Sequence, residues 1–124
     1  MKALLLVAHG SRRKQSNDEV ILLAEKLKKN CSHQYNIVNA AFLELAEVLI
    51  PDGIKQCVAE GASSIIVLPY FLNSGRHVVE DIPNIVNECV NQYPDTKISL
   101  APHLGASDLM MKLLISSADT AKSE

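Results

Sequence analysis

Two uninterrupted apolar runs, Ala3-Leu4-Leu5-Leu6-Val7-Ala8 and Ile65-Ile66-Val67-Leu68, constrain the fold of this chain more than any other feature. A strand with one wet face alternates apolar and polar residues, whereas a strand covered on both faces reads as continuous apolar sequence. Both runs are of the second kind. Between them the spacing turns helical: Val20, Leu23, Ala24 and Leu27 recur at i, i+3, i+4 and i+7, one face of an amphipathic helix. Ser16 and Glu19 stand at capping-box spacing ahead of this stripe, and Lys26, Lys28 and Lys29 favour its last turn near Asn30. Residues 35–43 read as a second strand. Pro51 and Gly61 suit the first turn and the C-terminal cap of a second helix, with Ile54, Cys57 and Val58 on one face. A third strand at 63–70 leads to a third helix reaching about Gln92. Its first turn must hold Pro83, because a proline further in removes a hydrogen bond and clashes. Residues 97–101 read as a fourth strand, 102–105 as a loop and 108–117 as a fourth helix, with a polar tail that frays from about residue 117.

Four strands alternating with four helices, without repeats or linkers, predict one α/β domain over residues 1–124 built on a parallel sheet. A flavodoxin-like three-layer sandwich with strand order 2-1-3-4 is the simplest doubly wound arrangement. The length of 124 residues suits a single core, and a formal net charge of −2 argues against a general nucleic-acid binder. No apolar run approaches the roughly 20 residues that span a bilayer. The segment His9-Gly10-Ser11-Arg12-Arg13-Lys14 interrupts the N-terminal run before the apolar region of a secretory signal can form. The expectation is a cytoplasmic protein with neither membrane nor nucleic acid as partner. Cys31, Cys57 and Cys89 are odd in number and lack C-x-x-C spacing, so reduced, mostly buried thiols are expected. A four-stranded sheet is small, and an apolar face left over favours a dimer.

In open α/β sheets ligands bind beyond the carboxyl ends of the strands, where the winding reverses. With the order 2-1-3-4 that point lies between strands one and three, which are followed by His9 and His77. Strand two is followed by Glu44 and strand four by His103, while His33 falls on the opposite edge. Two imidazoles with one carboxylate suit a first-row divalent metal, and equally suit general-base work near neutral pH. For His103, packing and function weigh equally. Arg12, Arg13, Lys14 and Arg76, beside Ser11, Asn73 and Ser74, point to an anionic substrate, because guanidinium groups grip carboxylate or phosphate in a fork. Gly75 is expected to permit the turn before Arg76. Phosphate is the weaker anion: there is no G-x-G-x-x-G, no Walker lysine and no acidic cluster after strand one. Ser11 and Ser74 lack a G-x-S-x-G context, so hydrolase chemistry is poorly supported.

Three segments taken together, His9-Gly10-Ser11-Arg12, Phe42-Leu43-Glu44-Leu45-Ala46 and Leu68-Pro69-Tyr70-Phe71-Leu72-Asn73-Ser74-Gly75-Arg76-His77-Val78 with Asp81-Ile82-Pro83, resemble the small CbiX type of class II tetrapyrrole chelatase. The resemblance covers most of the chain. It implies a homodimer of one short α/β domain, each copy like one half of a two-lobed chelatase, which inserts a divalent metal into sirohydrochlorin without ATP. It implies that His9 and His77 contact the metal and that Glu44 is the acidic residue of the site. The metal (Co²⁺, Fe²⁺ or Ni²⁺) is then a substrate, and no permanently bound cofactor is expected. Sirohydrochlorin is a flat apolar macrocycle bearing eight carboxylates; Ser11, Arg12, Asn73, Ser74, Gly75 and Arg76 would meet its polar rim, and Phe71, Leu72 and Val78 its flat face. Two other readings stand beside this one: a non-catalytic carrier of metal or tetrapyrrole with the same pocket, and a flavodoxin-like domain that binds a phosphoanion.

Overall fold

A computed structural model describes residues 1–31 and 33–121. Four strands, β1 (Lys2–Ala8), β2 (Ile37–Phe42), β3 (Ser64–Pro69) and β4 (Lys97–Leu100), form one sheet in the order β2-β1-β3-β4. Every neighbouring pair is parallel, with Leu5 opposite Asn39 on one side and Val67 on the other. The expected order 2-1-3-4 is the observed one. Each strand is shorter than or equal to its predicted span, since pairing stops where a neighbour ends.

The two apolar runs are buried on both faces for the reason given by their composition. Ala3, Leu5, Val7, Ile65 and Val67 join a fourteen-residue cluster with residues of helices α2 (Ile50–Ala59) and α3 (Ile82–Gln92), among them Ile50, Ile54, Ile82 and Val86. Leu4 and Leu6 point the other way, onto Ala24, Leu23 and Leu27 of helix α1 (Lys14–Asn30). One face thus carries two helices and the other one. Helix α4 (Met110–Asp119) has no buried residue and contacts the 3₁₀ turn Leu104–Ala106 that precedes it.

Several local expectations are corrected. Helix α1 starts at Lys14, two residues before the predicted capping box; its N-cap is Arg13, with no side-chain cap. The chain turns earlier because the Ser11 hydroxyl accepts the Arg13 N–H. Pro83 does lie in the first turn of α3, but a five-residue π-helical turn, His77–Asp81, precedes it and was not foreseen. Gly75 has no left-handed backbone and open space around it, so the turn there does not demand glycine. Helix α4 begins and ends two residues later than predicted, and residues 122–124 of the expected frayed tail lie outside the described residues. Cys57 and Cys89 are buried and Cys31 half-buried, all three free. Burial pushes the Cys57 thiol up, against the lowering hydrogen bond from Asn39 and with help from the Glu60 charge. Burial does the same to Cys89, aided by Glu88. No helix is long and apolar enough to cross a membrane among the described residues.

Candidate metal centre

The carboxyl ends of β1 and β2 are joined beyond the sheet itself. Leu43 N–H donates to the Ala8 carbonyl at 3.0 Å and Glu44 N–H to the His9 carbonyl at 3.1 Å, so parallel pairing continues through the residues that carry function. Between them Gly10 (φ +95°) packs so tightly that a Cβ there would come within 1.7 Å of the Glu44 carbonyl oxygen. After Glu44 the loop folds back: Leu45 takes a left-handed conformation (φ 57°), and Phe42 N–H donates to the Val48 carbonyl at 2.9 Å. A non-glycine residue in that region costs on the order of 1–3 kcal/mol, and the closed loop holds it there.

This shelf brings His9 Nε2 to 2.9 Å from Glu44 Oε2. From the far side of β1, the π-helical turn after β3 brings the His77 ring to His9, with centroids 4.6 Å apart and planes tilted by 33°. His77 Nδ1 lies 2.7 Å from Asp81 Oδ2, one turn further on. The structure therefore assembles two imidazoles, each backed by a carboxylate. Sequence reasoning missed Asp81; its signal was the i, i+4 spacing from His77 in a segment with helical character. Nearby, a 370 Å³ cavity is lined by Leu43, Glu44, His77, Asp81, Asn84 and Ile85.

Donor atoms lie about 2.1 Å from a bound divalent ion, so two donors at a right angle are about 3 Å apart, and two imidazoles sharing the ion have centroids about 4.5 Å apart. The His9–His77 separation matches the second value, while the 2.9 Å His9–Glu44 contact is a direct hydrogen-bond distance. The second carboxylate supports the same chemistry: a histidine that gives one nitrogen to a metal commonly gives the other N–H to a carboxylate, and Asp81 occupies His77 Nδ1, leaving Nε2. Among the described residues no three His, Cys, Asp or Glu side chains yet converge on one point as ligands; His9 is turned onto Glu44 and His77 onto Asp81.

The other predicted site residues are distributed more widely than their sequence proximity suggested. Ser11 and Arg12 line a larger cavity of 660 Å³ on the β2 side, together with Lys14, Leu45 and Glu47. Arg13 turns its guanidinium onto Gln15, and Arg76 reaches Glu80 at 3.6 Å. The four cations do not form one ring. Phe71 is half-buried and packs against the core, whereas Leu72 is 65% exposed beside exposed Asn73 and Ser74. His103 stands at the N-cap position of the 3₁₀ turn, with no side-chain cap hydrogen bond. That turn is tied back to the third rim segment by Gly105 N–H donating to the Phe71 carbonyl at 3.2 Å. His33 lines a separate cavity at the opposite end of the strands, with Met1 and Ser64.

The sirohydrochlorin cobaltochelatase of Sulfolobus acidocaldarius is 35% identical over 123 residues, covering 99% of this chain and 94% of that protein. The sirohydrochlorin ferrochelatase of Priestia megaterium is 31% identical over 115 residues, 93% of this chain but 42% of that protein. Among solved structures, SirB from Bacillus subtilis with Fe³⁺ superposes with a TM-score of 0.85 at 29% identity, covering 99% of this chain and 48% of that one. The chain thus spans about half the length of several relatives it matches, and nearly all of another. Residues 3–121 match the CbiX family description, and with a paired-histidine rim on a 2-1-3-4 sheet the chain belongs to the CbiX family.

Proposed function

We propose that this chain inserts a divalent metal, Co²⁺ or Fe²⁺ with Ni²⁺ also admissible, into sirohydrochlorin without ATP, in cobalamin or siroheme biosynthesis. The observation that carries this reading is the His9–His77 pair, 4.6 Å apart across adjacent strand ends with a carboxylate behind each ring. It is supported by relatives named for that activity. Metallation exchanges two pyrrole protons for one M²⁺, so the site must present the metal and take up protons. In this reading His9 and His77 hold the incoming ion through neutral nitrogens, which bind a borderline metal firmly but release it to a macrocycle. Glu44, exposed beside His9, or either histidine once its ion has left, accepts the two pyrrole protons in turn and passes them to solvent. Ser11 and Arg12 on one side, and Phe71, Leu72, Asn73, Ser74, Gly75 and Arg76 on the other, meet the substrate's carboxylates and flat face.

We further assign the working form to a homodimer in the cytoplasm. The support for the dimer is helix α4, where Leu109, Met111, Leu113, Leu114 and Ile115 are each 57–67% exposed; an apolar patch of that kind marks an interaction surface. Three free thiols accord with a reducing compartment. The test is a multiple-turnover assay of Co²⁺, Fe²⁺ and Ni²⁺ insertion, followed by the change in the tetrapyrrole spectrum, on protein whose mass is measured by sedimentation. Turnover beyond one equivalent is the expected result; a stop at one equivalent identifies a carrier instead.

A further inference from the structure

The first turn of α1 holds a side chain that touches both the loop after β1, which carries His9, and the loop after β2, which carries Glu44. Asn17 Oδ1 accepts the Ser11 N–H at 2.9 Å, and Asn17 Nδ2 donates to the Ser11 carbonyl at 2.9 Å and to the Leu45 carbonyl at 3.0 Å. Ser11 stands two residues after His9, and Leu45 one residue after Glu44. An amide offers two N–H donors and an acceptor oxygen; here both ends of the group are used, and they bridge Ser11 and Leu45, 34 positions apart in the chain.

The backbone is tightly packed beside one anchor point and strained at the other. Gly10 has φ +95° and lies against the Glu44 carbonyl, and Leu45 has φ 57°. A left-handed leucine persists only when its surroundings over-determine it, and the Asn17 amide is a direct partner of its carbonyl. We propose that Asn17 is a positioning residue for the metal centre: its carboxamide clamps the strand-one and strand-two loops together and so sets the 2.9 Å separation of His9 Nε2 and Glu44 Oε2. Asn17 itself touches neither metal nor macrocycle. This assignment rests on reading His9 and Glu44 as metal-handling groups.

Asn17→Asp separates the clamp from a helix-stabilising role. Aspartate keeps an acceptor for the Ser11 N–H and, as an acidic group near the helix N-terminus, favours α1. It loses both N–H donors and sets a carboxylate against two carbonyl oxygens. The expected result is a still-folded protein whose Tm falls by only a few degrees, with Co²⁺ affinity weakened about 10-fold to 100-fold, as for other partners behind metal ligands, and a matching fall in kcat for Co²⁺ insertion. Asn17→Ala should lose as much affinity. Wild-type Co²⁺ affinity in folded Asn17→Asp overturns the proposal, as does a loss that merely tracks the unfolded fraction. If the wild-type protein itself inserts no metal, the reaction assignment fails, while Co²⁺ affinity of the two proteins still decides the clamp.

Discussion

His9 and His77 meet at one point, but the chain brings them there in different ways. The His9 side is a shelf assembled from distant parts of the sequence: two backbone hydrogen bonds to residues 43 and 44, a glycine pressed against the Glu44 carbonyl, and the Asn17 amide across both loops. The His77 side is local. Its carboxylate partner is four residues on, its turn is closed by Val78 and Val79 N–H groups on the Gly75 carbonyl, and residues 72–77 are all exposed. On the proposed metal-inserting reading, the contrast separates two demands of metal transfer: a rigid half would fix where the ion sits relative to the sheet, and an adjustable half would let the coordination change as a macrocycle takes the ion away. Local unfolding energies follow the same division, being lowest where few buried contacts hold the backbone.

The largest expected effect falls on the histidine of the adjustable half. His77→Ala should abolish Co²⁺ insertion, read from the tetrapyrrole spectrum, while circular dichroism shows an intact fold; near wild-type rates in that variant would sink the pairing. Next, Gly10→Ala strikes the rigid half. Its new Cβ would sit on the Glu44 carbonyl and its φ is one that alanine avoids, so a loss of more than about 2 kcal/mol in urea unfolding is expected, with insertion lost alongside. Equal stability would show that the shelf is adjustable after all. Asp81→Asn removes the charge behind His77 and should lower insertion about 10-fold with stability unchanged; no change in rate would remove Asp81 from the site. Smallest is Gly75→Ala on the adjustable half. Nothing lies within 4 Å of the added methyl, so stability should stay within about 0.5 kcal/mol and insertion near wild type. A large effect there would make Gly75 a substrate contact.

What could be read in the sequence divides along the same line. The unbroken apolar runs dictate a doubly covered parallel sheet, the sheet dictates where its rim lies, and His9 and Glu44 follow strands directly, with His77 in the segment that leaves β3, so their meeting was legible. Asp81 was not, because a π-helical turn has no signature in hydrophobic spacing. Asn17 was hidden inside a segment, Ser16 to Glu19, that reads as a capping box, while the backbone had already entered the helix at Lys14. The four cations read as one ring because neighbouring charges in sequence carry no information about direction; Arg76 turns to Glu80 and Arg13 to Gln15. The solitary α4 was equally illegible, since an apolar helical pattern tells that a face will be covered and not by which chain.

The π-helical turn at 77–81 has a consequence for how this rim can evolve. A π turn is an α-helix with one residue too many per turn, so it acts as a phase adjuster between the third strand's exit and α3. Ile82 and Val86 of α3 are locked into the core, and Pro83 holds the first turn in place. Deleting one residue from 78–81 would restore an ordinary helix without disturbing α3. It would also rotate His77 by about 100° around the helix axis, carrying it away from His9. The length of a five-residue segment, independent of which residues fill it, thus decides whether the second histidine belongs to the site at all.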